Sequence, residues 1–175
     1  MTSPTFGLAY SKIDLSPIGT IEVLATSAGL CQVNLLGHAL VQSTLNTIKP
    51  AESDLTRLAL QQIMEYLAGQ RRAFDLPVDW STCKPFQKRV LVRALDIPFG
   101  QVMTYGQLAR ELSSAAASRA VGGAMAHNPI PIVIPCHRVV ASDGRLTGYS
   151  AAEGVRTKQW LLELEGHKVV SEKLV

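Results

Sequence analysis

Residues 119–138 read Arg119-Ala-Val-Gly-Gly-Ala-Met-Ala-His-Asn128-Pro-Ile-Pro-Ile-Val-Ile-Pro-Cys136-His-Arg138. The two halves of this stretch demand different conformations. Ser118 can cap a short helix over residues 119–126. From Asn128 onward, three prolines in seven residues exclude both a helix and a central strand. A short helix therefore feeds a rigid apolar segment, and that segment delivers Cys136, His137 and Arg138. Gly122 and Gly123 each weaken the helix by roughly 1 kcal/mol relative to alanine. A helix that accepts this cost has something close to its backbone, either another helix or a nucleic-acid backbone.

Upstream, Thr104 and Gln107 form a capping-box pattern that opens a short helix to Leu112. Five small residues, Ser113 to Ala117, separate it from the 119–126 helix. Two short helices with a tight connection suggest a helix-turn-helix, a pattern that ordinary helical hairpins share. Pro85 suits the first turn of an earlier helix. Phe86, Val90, Leu91, Ala94 and Leu95 give it an apolar face, and Ile97-Pro98-Phe99-Gly100 ends it.

The first third reads as a small sheet. Strands are expected at Phe6 to Asp14 and Thr20 to Thr26, joined by the turn Ser16-Pro17-Ile18-Gly19. A third follows at Leu30 to Leu36, with Cys31, Val33 and Leu35 on one face, so Cys31 is expected in the core. Ser53 caps a helix to about Ala68 whose stripe is Leu55, Leu58, Ala59, Ile63, Tyr66 and Leu67, and Gly69 stops it. Gln70 to Lys84 shows no periodicity and reads as a linker, with Cys83 a bystander. The fold class is therefore α/β of the α+β kind: a small N-terminal antiparallel sheet with a helix, then a mostly helical lobe with a helix-turn-helix and the active-site segment. The expected domains are 1–79 and 85–175, with 80–84 closing the linker.

The 175 residues are 47% hydrophobic and 18% charged, which excludes a disordered tail and a coiled coil. No apolar run approaches the ~20 residues of a membrane span, and no signal-peptide pattern opens the chain. Three cysteines, odd in number and without a CxxC pair, suit a reducing, intracellular and cytoplasmic setting. Residues 1–79 hold five Lys/Arg against seven Asp/Glu, a net −2, whereas residues 80–175 hold twelve against seven, a net +5. The second half thus permits an anionic partner such as nucleic acid, and equally an ordinary solvated basic face.

A thiol is a nucleophile only as thiolate, and a nearby imidazole or guanidinium favours that form. His137 and Arg138 supply both within two residues of Cys136. Adjacency alone also fits a buried cysteine beside a chance histidine.

Pro135-Cys-His-Arg-Val139 resembles the active-site motif of the O6-alkylguanine-DNA alkyltransferases (methylated-DNA–protein-cysteine methyltransferases). The likeness runs from about Phe86 to Gly166. It takes in Tyr105, Arg119-Ala-Val-Gly122, Asn128-Pro129, Gly148-Tyr149-Ser150 and Leu161-Leu-Glu-Leu-Glu-Gly166. The resemblance implies a ribonuclease-H-like N-terminal domain and a suicide DNA repair enzyme. It would act as a monomer, without cofactor or metal, on double-stranded DNA carrying O6-alkylguanine and O4-alkylthymine. Cys136 would accept the alkyl group, His137 would deprotonate it through a water, Glu165 would orient the histidine, and Tyr105 would protonate the leaving guanine. Arg119 would fill the space of the flipped base, with Ala120, Gly122 and Asn128 at the DNA. Met125, Val139, Tyr149 and Ser150 would line the base pocket, core packing being the equal alternative for Met125.

Two departures stand out. The stretch from Tyr149 to Lys158 is longer than the family's and carries Ala151-Ala152-Glu153 where relatives are glycine-rich. Some relatives bind zinc in the N-terminal lobe, but Cys31, His38 and Cys83 do not make the four ligands a structural zinc takes. The rival functions are a lesion sensor lacking the acceptor cysteine and a cysteine hydrolase with a Cys-His-Glu triad.

Overall fold

The computed structural model describes residues 7–38, 51–112 and 117–175. The expected start of the first strand at Phe6 and the small-residue connection at 113–116 lie outside them. Chain order begins with β1 (Ala9–Ser16), β2 (Gly19–Thr26) and β3 (Gly29–Leu35), an antiparallel sheet in the order β1-β2-β3. The β1–β2 hairpin turns at Pro17-Ile18, where the Ser16 hydroxyl donates to the Gly19 carbonyl and accepts from the Ile18 amide. Helix α1 (Asp54–Leu67) packs Ala59, Ile63, Tyr66 and Leu67 onto Ile21, Val23 and Ala25 of β2. Ser53 caps it as expected, with Thr56 completing the capping box, and the Thr56 hydroxyl also meets that of Ser11 at 2.8 Å. Leu58 departs from the expected stripe. It is 42% exposed because the buried face is centred on residues 59, 63 and 66, about 100° away around the helix.

Cys31 also departs from expectation. The β2–β3 register pairs Val23 with Val33 and Leu24 with Gln32, but Ala25 with Leu30. Cys31 is the extra residue of a bulge, so Leu30 turns fully into the core and Cys31 stays half-buried.

The 70–84 segment is not a loose linker. The Leu30 amide donates to the Pro77 carbonyl, the Asp79 amide donates back to the Leu30 carbonyl, and the Thr26 hydroxyl reaches Asp79. Further along the same edge of β3, the Val33 amide donates to the Pro129 carbonyl, and the Ala152 amide donates to the Leu35 carbonyl. The edge strand is thus covered by three separate segments, which also dock the N-terminal lobe onto the active-site segment.

The second lobe holds α2 (Pro85–Leu95), β4 (Met103–Thr104), α3 (Tyr105–Glu111), α4 (Ser118–Ala126), β5 (Val139–Val140) and α5 (Val155–Leu164). It closes with the small hairpin β6 (Val169–Val170) and β7 (Lys173–Leu174). The Thr104–Gln107 capping box forms as expected. Ser118 does not serve as N-cap, because the helix already begins there and Ala117 holds the cap position without a side-chain bond. On α2, Val90, Leu91 and Ala94 are buried, whereas Phe86 and Leu95 lie at the edge of the apolar face, 36% and 39% exposed. One hydrophobic core runs through both lobes, from Ile21 and Tyr66 to Leu91, Ile134 and Leu161. Among the described residues no helix is long and apolar enough to cross a membrane.

Two glycines give contrasting tests of this packing. A Cβ on Gly19 would lie 2.2 Å from the Gly37 backbone, and its φ is +93°. Gly69, the C-terminal stop of α1, has φ +73° but open space around it. Gly69→Ala is expected to cost about 1–2 kcal/mol, the left-handed penalty alone. Gly19→Ala adds a backbone clash to that penalty, and overpacking itself costs about 1–3 kcal/mol. Urea unfolding should therefore rank Gly19→Ala clearly below Gly69→Ala. Equal losses would contradict the close approach of Gly19 and Gly37.

Candidate active site

The 128–135 segment is held rigid by one side chain and one strained residue. The Asn128 amide donates to the Ile134 carbonyl at 2.9 Å while its Oδ1 accepts from the Ile130 amide at 3.0 Å. Ile132 sits at φ +74°, a rare conformation for a β-branched residue, and is fully buried between Pro131 and Val133. The chain then winds through a single 3-10 turn, Cys136–Arg138, whose three side chains are all buried.

Behind that turn lies Glu165, the C-cap residue of α5. Glu165 is 6% exposed, and its carboxylate collects four donor residues from three parts of the chain. Arg138 approaches both oxygens, with Nε at 3.0 Å from each and Nη2 2.8 Å from Oε1. His137 Nε2 lies 3.0 Å from Oε1, the Tyr66 hydroxyl donates to Oε1 at 2.7 Å, and the Gly100 amide donates to Oε2 at 3.1 Å. Burial alone would push this carboxyl up. The donors His137, Arg138 and Tyr66 outweigh that and hold it well below the usual carboxylate range.

Arg138 therefore does not activate the thiol, contrary to the sequence expectation. Its guanidinium is spent on Glu165 and, through Nη1, on the Ile97 carbonyl at 2.6 Å. The cation that acts on Cys136 is Lys158. That lysine is fully buried on α5, and its ammonium donates to the Val139 carbonyl at 2.6 Å and the Thr147 carbonyl at 2.8 Å. It also lies 5.8 Å from the centre of the Tyr105 ring. Burial pulls Lys158 down to about 8 against an opposing pull from Cys136. Burial pushes the Cys136 thiol up, opposed by a hydrogen bond from Asn128 and by Lys158. Burial also lowers His137, with Glu165 pulling the other way. The resting site is a neutral thiol beside a neutral imidazole. Its His137 Nδ1 has no hydrogen-bond partner among the described residues.

Tyr105 stands at the mouth of the site. Its hydroxyl donates to the Thr147 carbonyl at 2.9 Å, the same oxygen that Lys158 holds. A Cβ on Gly148 would lie 2.8 Å from that hydroxyl, so only glycine leaves the phenol its place. Tyr105, Gly106, Ser118, Arg119, Gly122, Thr147 and Gly148 line an open cleft of about 560 Å³. The structure thus brings Arg119 and Tyr105 together, with Arg119 and Ala120 exposed. Beyond Arg119 the exposed residues of α4, Ala120, Gly123 and Ala126, are small, and Cβ atoms on Gly122 and Gly123 would meet nothing within 4 Å. Internal packing does not account for these two glycines.

Met125, Val139 and Tyr149 are 2%, 0% and 8% exposed and belong to the core cluster with Cys136. The packing alternative is therefore where Met125 sits. Tyr149 keeps a buried hydroxyl without a partner among the described residues, and burial raises it well above its ordinary value, with Cys136 adding to the shift. Ser150 is exposed. Among the described residues no group of three or more His, Cys, Asp or Glu is placed to hold a metal ion.

Sequence reasoning missed Tyr66 and Lys158. Lys158, Leu161, Leu162 and Glu165 form one helical stripe at spacings of three, four and seven, a signal that marks Lys158 as inward-facing. Tyr66 carried no such signal, because its partners are 71 and 99 residues away.

The fold and site together define a class: a two-lobed α+β protein with a helix pair in front of a buried cysteine, histidine and glutamate. Residues 8–80 match the family model described as the ribonuclease-like domain of 6-O-methylguanine DNA methyltransferase, and residues 85–167 match that of its DNA-binding domain. A methylated-DNA–protein-cysteine methyltransferase of Methanosarcina acetivorans is 39% identical over 158 residues, 90% of this chain and 98% of that one. The structure of the Mycobacterium tuberculosis O6-methylguanine methyltransferase aligns with a TM-score of 0.78 at 35% identity, over 94% of this chain and 96% of that one. A structure of Mycobacterium tuberculosis OGT in complex with DNA aligns at 0.76 and 36% identity, covering 90% and 92%. The chain belongs to the 6-O-methylguanine DNA methyltransferase family.

The buried neutral His137 gives a pH test. Its folded value is lowered, so as pH falls below the unfolded value near ~6.5 the unfolded chain takes up a proton that the folded chain refuses. Stability is full above that pH and is expected to drain below it, with a slope approaching about 1.4 kcal/mol per pH unit. Urea unfolding between pH 7.5 and 5 should show this component in the wild type and not in His137→Asn. The same slope in both would mean that His137 binds its proton equally well when folded.

Proposed function

We propose that this chain repairs alkylated double-stranded DNA by moving the alkyl group from guanine O6, and from thymine O4, to its own Cys136. The observation that carries the reading is a buried thiol followed in the chain by a buried imidazole whose Nδ1 is unengaged, with Cys136 close enough to act electrostatically on Tyr105, which lines an open cleft together with Arg119. The match to methylated-DNA–protein-cysteine methyltransferases over nine-tenths of the chain supports the same chemistry.

In this scheme His137 takes the Cys136 proton through a water. The sulfur forms a bond to the alkyl carbon as the carbon–O6 bond breaks, the electron pair passes into the purine, and the Tyr105 phenol supplies its proton. This is triad logic with a thiol as nucleophile. The target base must leave the stack, which costs roughly a few kcal/mol. The smooth face of α4, open at Gly122 and Gly123, suits a close approach to a nucleic-acid groove, and Arg119 at its N-terminal end is placed to occupy the gap. The product is a thioether that water does not cleave, so the protein is consumed, one alkyl group per chain, as a monomer and without a cofactor.

Three readings separate in one titration with duplex DNA containing O6-methylguanine. The alkyltransferase stops at one equivalent, a cysteine hydrolase continues to turn over, and a lesion sensor transfers nothing. Cys136→Ser should abolish transfer and keep DNA binding. Arg119→Ala should slow repair of duplex DNA at least tenfold, within the cost of unstacking a base, while sparing reaction with free O6-benzylguanine. Equal losses with both substrates would refute the base-extrusion role of Arg119.

A further inference from the structure

Among the described residues, the hydrogen bond from the N-terminal lobe to the buried His137–Glu165 pair comes from the hydroxyl of Tyr66, on the last turn of α1. It forms a triangle with His137 Nε2 and Glu165 Oε1, whose sides are 2.7 Å (Tyr66 to Glu165), 3.0 Å (His137 to Glu165) and 3.2 Å (Tyr66 to His137). Proton counting within this triangle is restrictive. The ionised carboxylate has nothing to donate, so the phenol proton lies on the 2.7 Å edge. If the imidazole carried its proton on Nδ1, the Nε2 lone pair would face a carboxylate oxygen at 3.0 Å with no hydrogen between them. With the proton on Nε2, that N–H points at Oε1, and the phenol oxygen at 3.2 Å is a second acceptor beside it.

The Tyr66 ring is fully buried and boxed by Phe74 at 5.5 Å and by Phe99 edge-on at 6.2 Å. Its hydroxyl has no access to water as an alternative partner. Burial, with the Glu165 carboxylate adding to it, pushes the phenol far above its ordinary value, so it remains a donor. Phe74 belongs to the segment that ties β3 to the second lobe. The position of the hydroxyl is thus set by how the two lobes dock.

We propose that Tyr66 is a positioning residue: by donating to Glu165 Oε1 it lets the N-terminal lobe hold that carboxylate against His137, in the geometry that keeps the proton on Nε2 and leaves Nδ1 as the proton acceptor of the site. The consequence for reactivity rests on the proposed function, in which His137 receives the Cys136 proton. The tautomer itself does not. On this account the first lobe is part of the chemistry, because the second lobe contains no hydroxyl placed to replace Tyr66 among the described residues.

The test uses the full chain labelled with 15N in histidine, at pH 7.5 without DNA. In the wild type, His137 should show a protonated Nε2 and an unprotonated Nδ1. In Tyr66→Phe the two nitrogens should move toward averaged shifts as the tautomers mix. The alkyl-transfer rate should then fall about tenfold, the scale of one hydrogen bond to a charged group, and its pH profile should move. Val23→Ala, fully buried on β2 and outside the hydrogen-bonded triangle, is the packing control. It should lower thermal stability and leave both the nitrogen shifts and the pH profile as they are. A wild-type His137 protonated on Nδ1 overturns the proposal even where Tyr66→Phe fails to fold. Unchanged shifts in Tyr66→Phe, or the same changes in Val23→Ala, also overturn it. The expected shifts in a chain that transfers no alkyl group would count against the proposed function and leave the role of Tyr66 intact.

Discussion

The rest of the structure depends on one buried charge, the Glu165 carboxylate. Removing a carboxylate from water is costly unless charge and hydrogen bonds replace the lost solvation. Here Arg138 supplies the charge, and His137, Tyr66 and the Gly100 amide supply the remaining bonds. Together the donors fix three pieces of chain: the 3-10 turn with Cys136, which carries both Arg138 and His137, the end of α1, and the loop before β4. The converse also holds. Without Glu165, Arg138 would be a buried cation left with the Ile97 carbonyl and the Phe99 ring face and no counter-charge, a situation that typically costs about 3–5 kcal/mol.

That arrangement explains why the site rests uncharged at its reactive end. Arg138 and Glu165 neutralise one another, so neither imposes a strong net field on Cys136. The thiol faces burial, which favours its protonated form, and one distant cation, Lys158, which favours the thiolate. Lys158 also gathers the carbonyls of Val139 and Thr147, and the second of these holds the Tyr105 phenol. The acid and the nucleophile of the proposed reaction are therefore tied to the same ammonium. A protein that reacts once gains from a thiol that stays protonated until its substrate arrives, since an exposed thiolate is the form that oxidises and reacts elsewhere.

The parts of this structure written in local chemistry were legible in the sequence. The Ser53 and Thr104 caps, the Gly69 stop and the proline-stiffened delivery of Cys136 all follow from bonds within a few residues. Errors arose where tertiary geometry decides. A bulge at Cys31 shifts the strand by one residue and exchanges which side chain faces inward. The 70–84 segment lacks periodicity because it docks through backbone bonds to β3 and not through a helical or strand face. Arg138 stands next to the nucleophile in sequence yet turns to a carboxylate 27 residues away. Tyr66 looked like any core residue on an amphipathic helix, since its hydroxyl finds its partners only once the two lobes have packed.

In the proposed reaction Cys136, alone among the three cysteines, receives the alkyl group. Cys31 and Cys83 are both half-buried, in the N-terminal lobe and the connecting segment respectively, whereas Cys136 is buried next to His137 in the chain. Duplex DNA carrying an isotopically labelled O6-methyl group, followed by proteolysis and peptide mass spectrometry of the protein, reads this directly. The account expects the label on the peptide containing Cys136, at one methyl per chain, with none on the peptides of Cys31 or Cys83. Label on either of the other cysteines, or none on the protein while the DNA is demethylated, would contradict it.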